Sequence, residues 1–185
     1  MGTGQPDHEL MMAYVKGDEL AFGVLFEKYS PKLNSFLRYR LAAKKKHLIE
    51  EVYQKTWLKI HAGRMSFDPS KKFSTWFYTV ALNTLRDEVG SLFERSQHEE
   101  INDQSTLDSP NSEDQYITKE LFKQVEALFK FLTENQKTAL LLSDQEEMSS
   151  KDIADVMGIS DASVRQLISR ARKIIRSRYS EMEKS

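Results

Sequence analysis

The chain has 185 residues, 39% of them hydrophobic, with 27 Lys and Arg against 28 Asp and Glu and a mean hydropathy of -0.57. That length allows one large domain or two small ones, and no apolar run approaches the roughly 18 residues that a membrane span needs. The absence of cysteine excludes disulfides and Cys-ligated zinc and fits a reducing cytosol.

The opening MGTGQPDHEL has no basic stretch followed by an apolar one, so no signal peptide is expected, and residues 1–6 read as a disordered leader. Helical periodicity then runs almost throughout, without alternating strand patterns or hairpin dipeptides, which predicts an all-α fold. A first helix is expected over Asp7–Lys16, closed by Gly17, with Asp18 free to cap the next. The second spaces Leu20, Val24, Leu25, Leu33, Phe36, Leu37 and Leu41 along one face, with Pro31 a candidate kink. A third runs from His47 to His61 on an apolar stripe of Ile49, Val52, Tyr53, Trp57 and Ile60. Gly63 to Lys72 reads as a loop, punctuated by Asp68 and Pro69, and a fourth helix follows Ser74 to about Arg95.

Composition then shifts. Residues 96–118 hold six acids and no Lys or Arg. So polar a stretch buries too little apolar surface to offset its ordering entropy, and residues 96–112 read as a flexible acidic linker. Helical pattern resumes near Glu113 and holds to Tyr179. The expected organisation is two small helical domains, residues 7–95 and 113–185, on either side of that tether.

Within the second domain, SSKDIADVMGISDASVRQLISRARKIIRSRY carries the strongest signal. Ser149 or Ser150 can cap a short helix whose buried face is Ile153, Ala154 and Met157. Gly158 supplies a tight turn, Ile159 packs inward, and Ser160 caps a second helix. Val164, Leu167 or Ile168, and Ala171 return to the core. That leaves Asp161, Ser163, Arg165, Gln166, Ser169, Arg170 and Lys173 outside. Residues 162–180 hold six bases and no acid, a local phosphate footprint on a chain of net charge -1. Turn glycine, cap, small residue and basic outer face together point to a helix-turn-helix whose second helix enters a major groove. Ser163, Arg165 and Gln166 are placed near base edges, and the Arg/Lys series near phosphates.

No catalytic constellation is visible. His8, His47, His61 and His98 are scattered without ligand spacing, the glycines are isolated, and Glu50 and Glu51 project apart on a helix. No metal, cofactor or enzymatic activity is therefore expected. The first half does place Phe67, Phe73, Trp76, Phe77 and Tyr78 beside Lys71 and Lys72; most of these rings are expected in the core, and some can stack unpaired bases.

The segments GDELAFGVLFEKYSPKLNSFLRYRL, FDPSKKFSTWFYTVALNTLRDEV and DIADVMGISDASVRQLISRARKIIRSRY together resemble the extracytoplasmic-function (ECF) sigma factors of bacterial RNA polymerase. The Ser74-x-Trp76, Ala81-x-Asn83 and Asp87 string and the terminal Arg170-Ala171-Arg172 are the most specific parts. The resemblance implies a cytoplasmic promoter-specificity subunit that binds core polymerase and recognises the -10 and -35 promoter elements, with an anti-sigma factor as a further partner. It implies polymerase contacts at Glu50, Glu51 and Gln54. It implies melted-DNA contacts at Phe67, Lys71, Lys72, Trp76, Asn83, Arg86 and Asp87. The distal element would be read by Ser160, Ser163, Arg165, Gln166, Ser169, Arg170, Arg172 and Lys173.

The chain departs from the family's usual pattern at Lys55, where an acid is common, and at Thr133, where proline usually opens a helix. Leu82, Glu88 and Leu167 stand where bases are common, and they point to lower intrinsic DNA affinity. Two other readings are compatible with the sequence: a helix-turn-helix regulator that binds duplex DNA without polymerase, and a sigma fold used only for protein contacts.

Overall fold

In the computed structural model, residues 4–41, 45–96 and 122–182 are described. Among them the secondary structure is helical, without strands: α1 (Asp7–Val15), α2 (Glu19–Leu41), α3 (Lys46–Gly63), a 3-10 turn (Arg64–Ser66), α4 (Phe73–Ser96), α5 (residues 122–129), α6 (Glu134–Asp144), α7 (Ser150–Met157) and α8 (Asp161–Met182). The expected linker lies almost wholly outside the described residues, apart from Ser96 at the end of α4. No described helix is long and apolar enough to cross a membrane.

The helix ends follow from local chemistry. Gly17 takes φ +100°, and the Gly17 and Asp18 amides bond back to Tyr14 and Ala13 carbonyls at 2.9 and 3.0 Å, closing α1. The Asp18 carboxylate then accepts from the Leu20 and Ala21 amides at 3.0 and 3.2 Å and opens α2. Pro31 sits inside α2 without ending it. Leu25, Tyr29, Leu33, Phe36 and Leu37 are buried on both sides of it, so packing outweighs the missing backbone donor. The segment expected as loop between Gly63 and Lys72 contains the 3-10 turn, and α4 begins at Phe73, two residues before the start expected after Ser74.

The chain divides into two compact units. The first takes α1, α2 as far as Leu37, α3, the 3-10 turn and α4, with α3 packed on α4. Its core is aromatic. Tyr29 sits 4.9 Å edge-on to Phe73 and 4.8 Å from Phe77, and Trp57 lies 5.3 Å from Phe77 and 5.8 Å edge-on to Phe22. Tyr14 of α1 stacks on Phe22 at 4.6 Å and hydrogen-bonds His61 Nδ1 at the end of α3.

The second unit is built on α5, α6, the first part of α7, and α8, with α6 packed on α8. Thr133 caps α6 in a reciprocal box: its hydroxyl accepts from the Gln136 amide at 3.3 Å, and its own amide donates to the Gln136 side chain at 2.9 Å. A proline at this position would lack the amide that the box uses, so Thr133 supplies a different way of starting the same helix. Ala139, Leu140, Leu141 and Leu142 are buried along α6.

Candidate nucleic-acid interface

The helix-turn-helix is assembled as its residues dictate. Ser149 caps α7, accepting from the Asp152 amide at 3.1 Å while its hydroxyl donates to the Asp152 carboxylate at 2.6 Å. Ile153, Ala154, Val156 and Met157 are buried. Gly158 takes φ +69°, and the Ile159 amide reaches the Ala154 carbonyl at 3.2 Å, the closure of a helix ending on a left-handed residue. Ser160 accepts from the Ser163 amide at 3.1 Å and its hydroxyl bonds that of Ser163 at 2.8 Å, which starts α8. Val164, Ile168 and Ala171 fix the inner face of α8, so Ile168 rather than Leu167 is the core residue of that turn.

The opposite face of α8 is exposed and basic. Ser163, Arg165, Gln166, Ser169, Arg170, Arg172 and Lys173 all lie in solvent. Beside it, Ser143, Ser150, Arg165, Ile168, Ser169, Arg172, Lys173 and Arg176 line a groove of about 660 Å³. Arg176 extends the series of cations by one turn beyond Lys173. Two of these cations are already paired: Arg165 with Asp161 at 2.9 Å, one turn back on α8, and Arg172 with Asp144 at 2.6 Å, at the end of α6.

In the first unit the expected residues separate by burial. Phe67 is 6% exposed, edge-on to Phe73 and Trp76 at 6.2 and 5.5 Å, so it floors the loop and offers no open ring face. Trp76 is half-buried, while Lys71, Lys72, Asn83, Arg86 and Asp87 are exposed. Arg86 donates to the Asn83 side chain at 3.4 Å, and Asp87 pairs with Lys59 of α3 at 2.8 Å. Asp68 organises the loop: its carboxylate accepts from both the Ser70 amide and hydroxyl, at 2.9 and 2.7 Å. Those bonds hold its pKa below the ordinary carboxylate value.

On α3, Glu50 and Gln54 point to solvent and Glu51 is half-buried. Leu58, four residues beyond Gln54 on the same stripe, is 66% exposed. An apolar residue at helical spacing from polar exposed ones is the signal that could have found it. Two departures expected to remove surface cations prove to be inward. Leu82 is 2% exposed and belongs to the core, and Glu88 is 9% exposed and bonded to Lys55 at 2.7 Å. Among the described residues no cluster of three or more His, Asp or Glu is arranged to hold a metal.

Comparison with known proteins covers both units. Residues 25–92 match the family described as Sigma-70 region 2, and residues 122–175 match Sigma-70, region 4. The ECF RNA polymerase sigma-E factor of Haemophilus influenzae is 28% identical over 183 residues, covering 93% of this chain and 94% of that protein. The RNA polymerase sigma-H factor of Pseudomonas aeruginosa is 28% identical over 185 residues, covering 95% and 94%. In fold, the chain is similar to the sigma factor RpoE of Bartonella quintana, solved in complex with the anti-sigma factor NepR. That match has a TM-score of 0.68 at 21% identity, over 84% of this chain and 94% of that one.

Proposed function

The chain belongs to the ECF sigma factors of RNA polymerase, and from that premise we propose how its surfaces divide the work of initiation. Sigma factors are non-enzymatic transcription initiation factors, and this chain acts by binding alone. Residues 7–95 form the polymerase-docking and promoter-melting domain, residues 96–112 the tether, and residues 113–185 the distal-element reader. The outward stripe of α3 docks on core polymerase through Glu50, Glu51 and Gln54, with Leu58 supplying apolar contact. Lys71, Lys72, Trp76, Asn83, Arg86 and Asp87 face the melted strand of the proximal element. A base leaving the stack exchanges duplex pairing for ring stacking and edge hydrogen bonds, and Trp76 above the Phe67 floor offers the ring. The outer face of α8 enters the major groove of the distal element. There Ser160, Ser163, Arg165, Gln166 and Ser169 lie toward base edges, and Arg170, Arg172 and Lys173 toward phosphates. The protein works in the cytoplasm, where its polymerase is, and an anti-sigma factor is its natural inhibitor.

The observation that carries this reading is α8 itself. Buried Val164, Ile168 and Ala171 leave seven polar and basic residues on one exposed face behind a glycine turn. The test is in vitro transcription with core polymerase on a promoter library. A shared two-element promoter should emerge, and an Arg165→Ala/Gln166→Ala variant should lose preference at the distal element alone. A chain that recovers no core polymerase in a pull-down overturns it.

A further inference from the structure

Arg172 is the cation of the α8 groove most firmly held within the protein. Its Nη2 donates to the Asp144 carboxylate at 2.6 Å and lies 3.4 Å from the Ser143 hydroxyl. Both partners are about half exposed, 54% for the Arg172 side chain and 48% for Asp144. The carboxylate thus occupies one of the positions around the guanidinium that a phosphate oxygen can take. Asp144 also ends α6, where the helix dipole disfavours negative charge. Helix stability therefore gives no reason for an acid here. Lys173 and Arg176, which line the same groove, show no ion pair among the described contacts, so the acid is aimed at one cation and leaves the others to attract anions.

We propose that Asp144 is a built-in competitor of DNA: it holds Arg172 in the free protein, gives it up to a backbone phosphodiester seated in this groove, and so sets the intrinsic DNA affinity of α8. The proposal rests on the reading of α8 as the distal-element helix. An exposed ion pair couples its partners weakly, by a factor of up to about five. Asp144 is therefore a damper that DNA displaces readily once polymerase holds α8 in place. Moving Arg172 from carboxylate to phosphate also leaves Asp144 to recruit a cation of its own, which offsets part of the counterion release that drives binding.

The test measures promoter-duplex binding by the holoenzyme across a salt series, with wild type, Asp144→Asn, Arg172→Ala and the double variant. Asp144→Asn removes the charge and keeps the shape, and circular dichroism checks that helicity is retained. It is expected to bind about three- to fivefold tighter at low salt. Its plot of log affinity against log salt should steepen by up to about 0.9, one phosphate contact's worth. Arg172→Ala should weaken binding, and adding Asp144→Asn to it should change nothing more. If Arg172→Ala weakens binding but Asp144→Asn leaves affinity and slope unchanged, the competitor role is wrong while the reading of α8 stands. If Asp144→Asn tightens binding equally without Arg172, the effect is general charge and the proposal is overturned. If Arg172→Ala has no effect, that part of α8 does not face DNA, and the reading and the proposal fail together.

Discussion

Lys55 Nζ on α3 lies 2.7 Å from Glu88 Oε2 on α4 and 2.7 Å from Glu51 Oε1 one turn back on its own helix. Glu88 is the more buried partner, with 12% of its side chain exposed against 40% for Lys55. One ammonium therefore satisfies a carboxylate that would otherwise be charged and poorly solvated between two helices.

Exchanging the charges tests that relationship. Lys55→Glu gathers three acids at one spot and should lower the thermal unfolding midpoint, and Glu88→Lys sets two ammoniums together and should do the same. The double exchange should recover most of the loss, a coupling that circular dichroism melts of the four proteins measure. Additive losses in the double variant would falsify the pairing. The pH dependence has a definite sign. The bonds to Glu51 and then Glu88 raise the Lys55 pKa above its ordinary 10.5. The pair's contribution is complete below 10.5 and disappears as pH rises through the raised value, so the wild type should lose more stability in that alkaline range than Lys55→Met.

Leu58 carries the second expectation. Its side chain is 66% exposed, so Leu58→Asp breaks no core contact and should leave helicity intact. On the proposed docking face, a charge there replaces the apolar contact assigned to Leu58 and should weaken core binding by at least about tenfold, within the range of interface hot spots. Leu20, which is 84% exposed on α2 and lies outside the residues assigned to docking, is the matched control, and Leu20→Asp should bind core normally. Equal behaviour of the two variants in a core pull-down removes Leu58 from the interface.

The helix-turn-helix was legible in the sequence because its determinants are local. A glycine, two serine caps and a 3.6-residue apolar spacing each act within a turn of themselves; the Ser160 cap and the Gly158 turn are found where the sequence puts them, and of the two serines open to cap α7 it is Ser149 that does so. What escaped is whatever depends on a second helix. Leu82 and Glu88 read as lost surface cations because periodicity does not say which side of α4 meets α3, and both proved to face inward. Phe67 is implied as a melted-DNA contact by the resemblance, and adjacency to Lys71 and Lys72 does not say which of the neighbouring rings is core. Its burial against Phe73 and Trp76 is a tertiary fact. Leu167 and Ile168 stayed ambiguous for the same reason, since adjacent residues differ by only about 100° around a helix.

Gly158 gives a prediction confined to backbone physics. A Cβ added there meets no atom within 4 Å, yet φ is +69°. Gly158→Ala should therefore cost about 1–2 kcal/mol through the left-handed backbone alone, without steric clash. Ser160→Ala should cost about 1 kcal/mol by removing the α8 cap, and Ser160→Gly only a few tenths. Hydrogen exchange is the appropriate measurement, because it reads the α7 and α8 amides separately from the rest of the chain. Gly158→Ala that leaves those amides as protected as in the wild type contradicts the turn geometry.

The last prediction separates reading from holding along α8. Arg165 and Gln166 sit in its second turn, on the face where a recognition helix meets base edges, whereas Lys173 lies two turns further on and lines the groove beside Arg172 and Arg176. Arg165→Ala should cost about 1–3 kcal/mol at one base-pair position and relax preference there. Because Arg165 must also leave Asp161, 2.9 Å away, part of its contribution is spent in the exchange, and the lower end of that range is expected. Lys173→Ala should instead weaken every sequence alike and reduce the salt slope by about 0.9, since one phosphate contact is lost. Holoenzyme binding to a randomised distal element at several salt concentrations distinguishes the two. If Lys173→Ala shifts base preference while Arg165→Ala changes only the salt slope, α8 lies in the groove in the opposite sense to the one argued from its N-terminal cap.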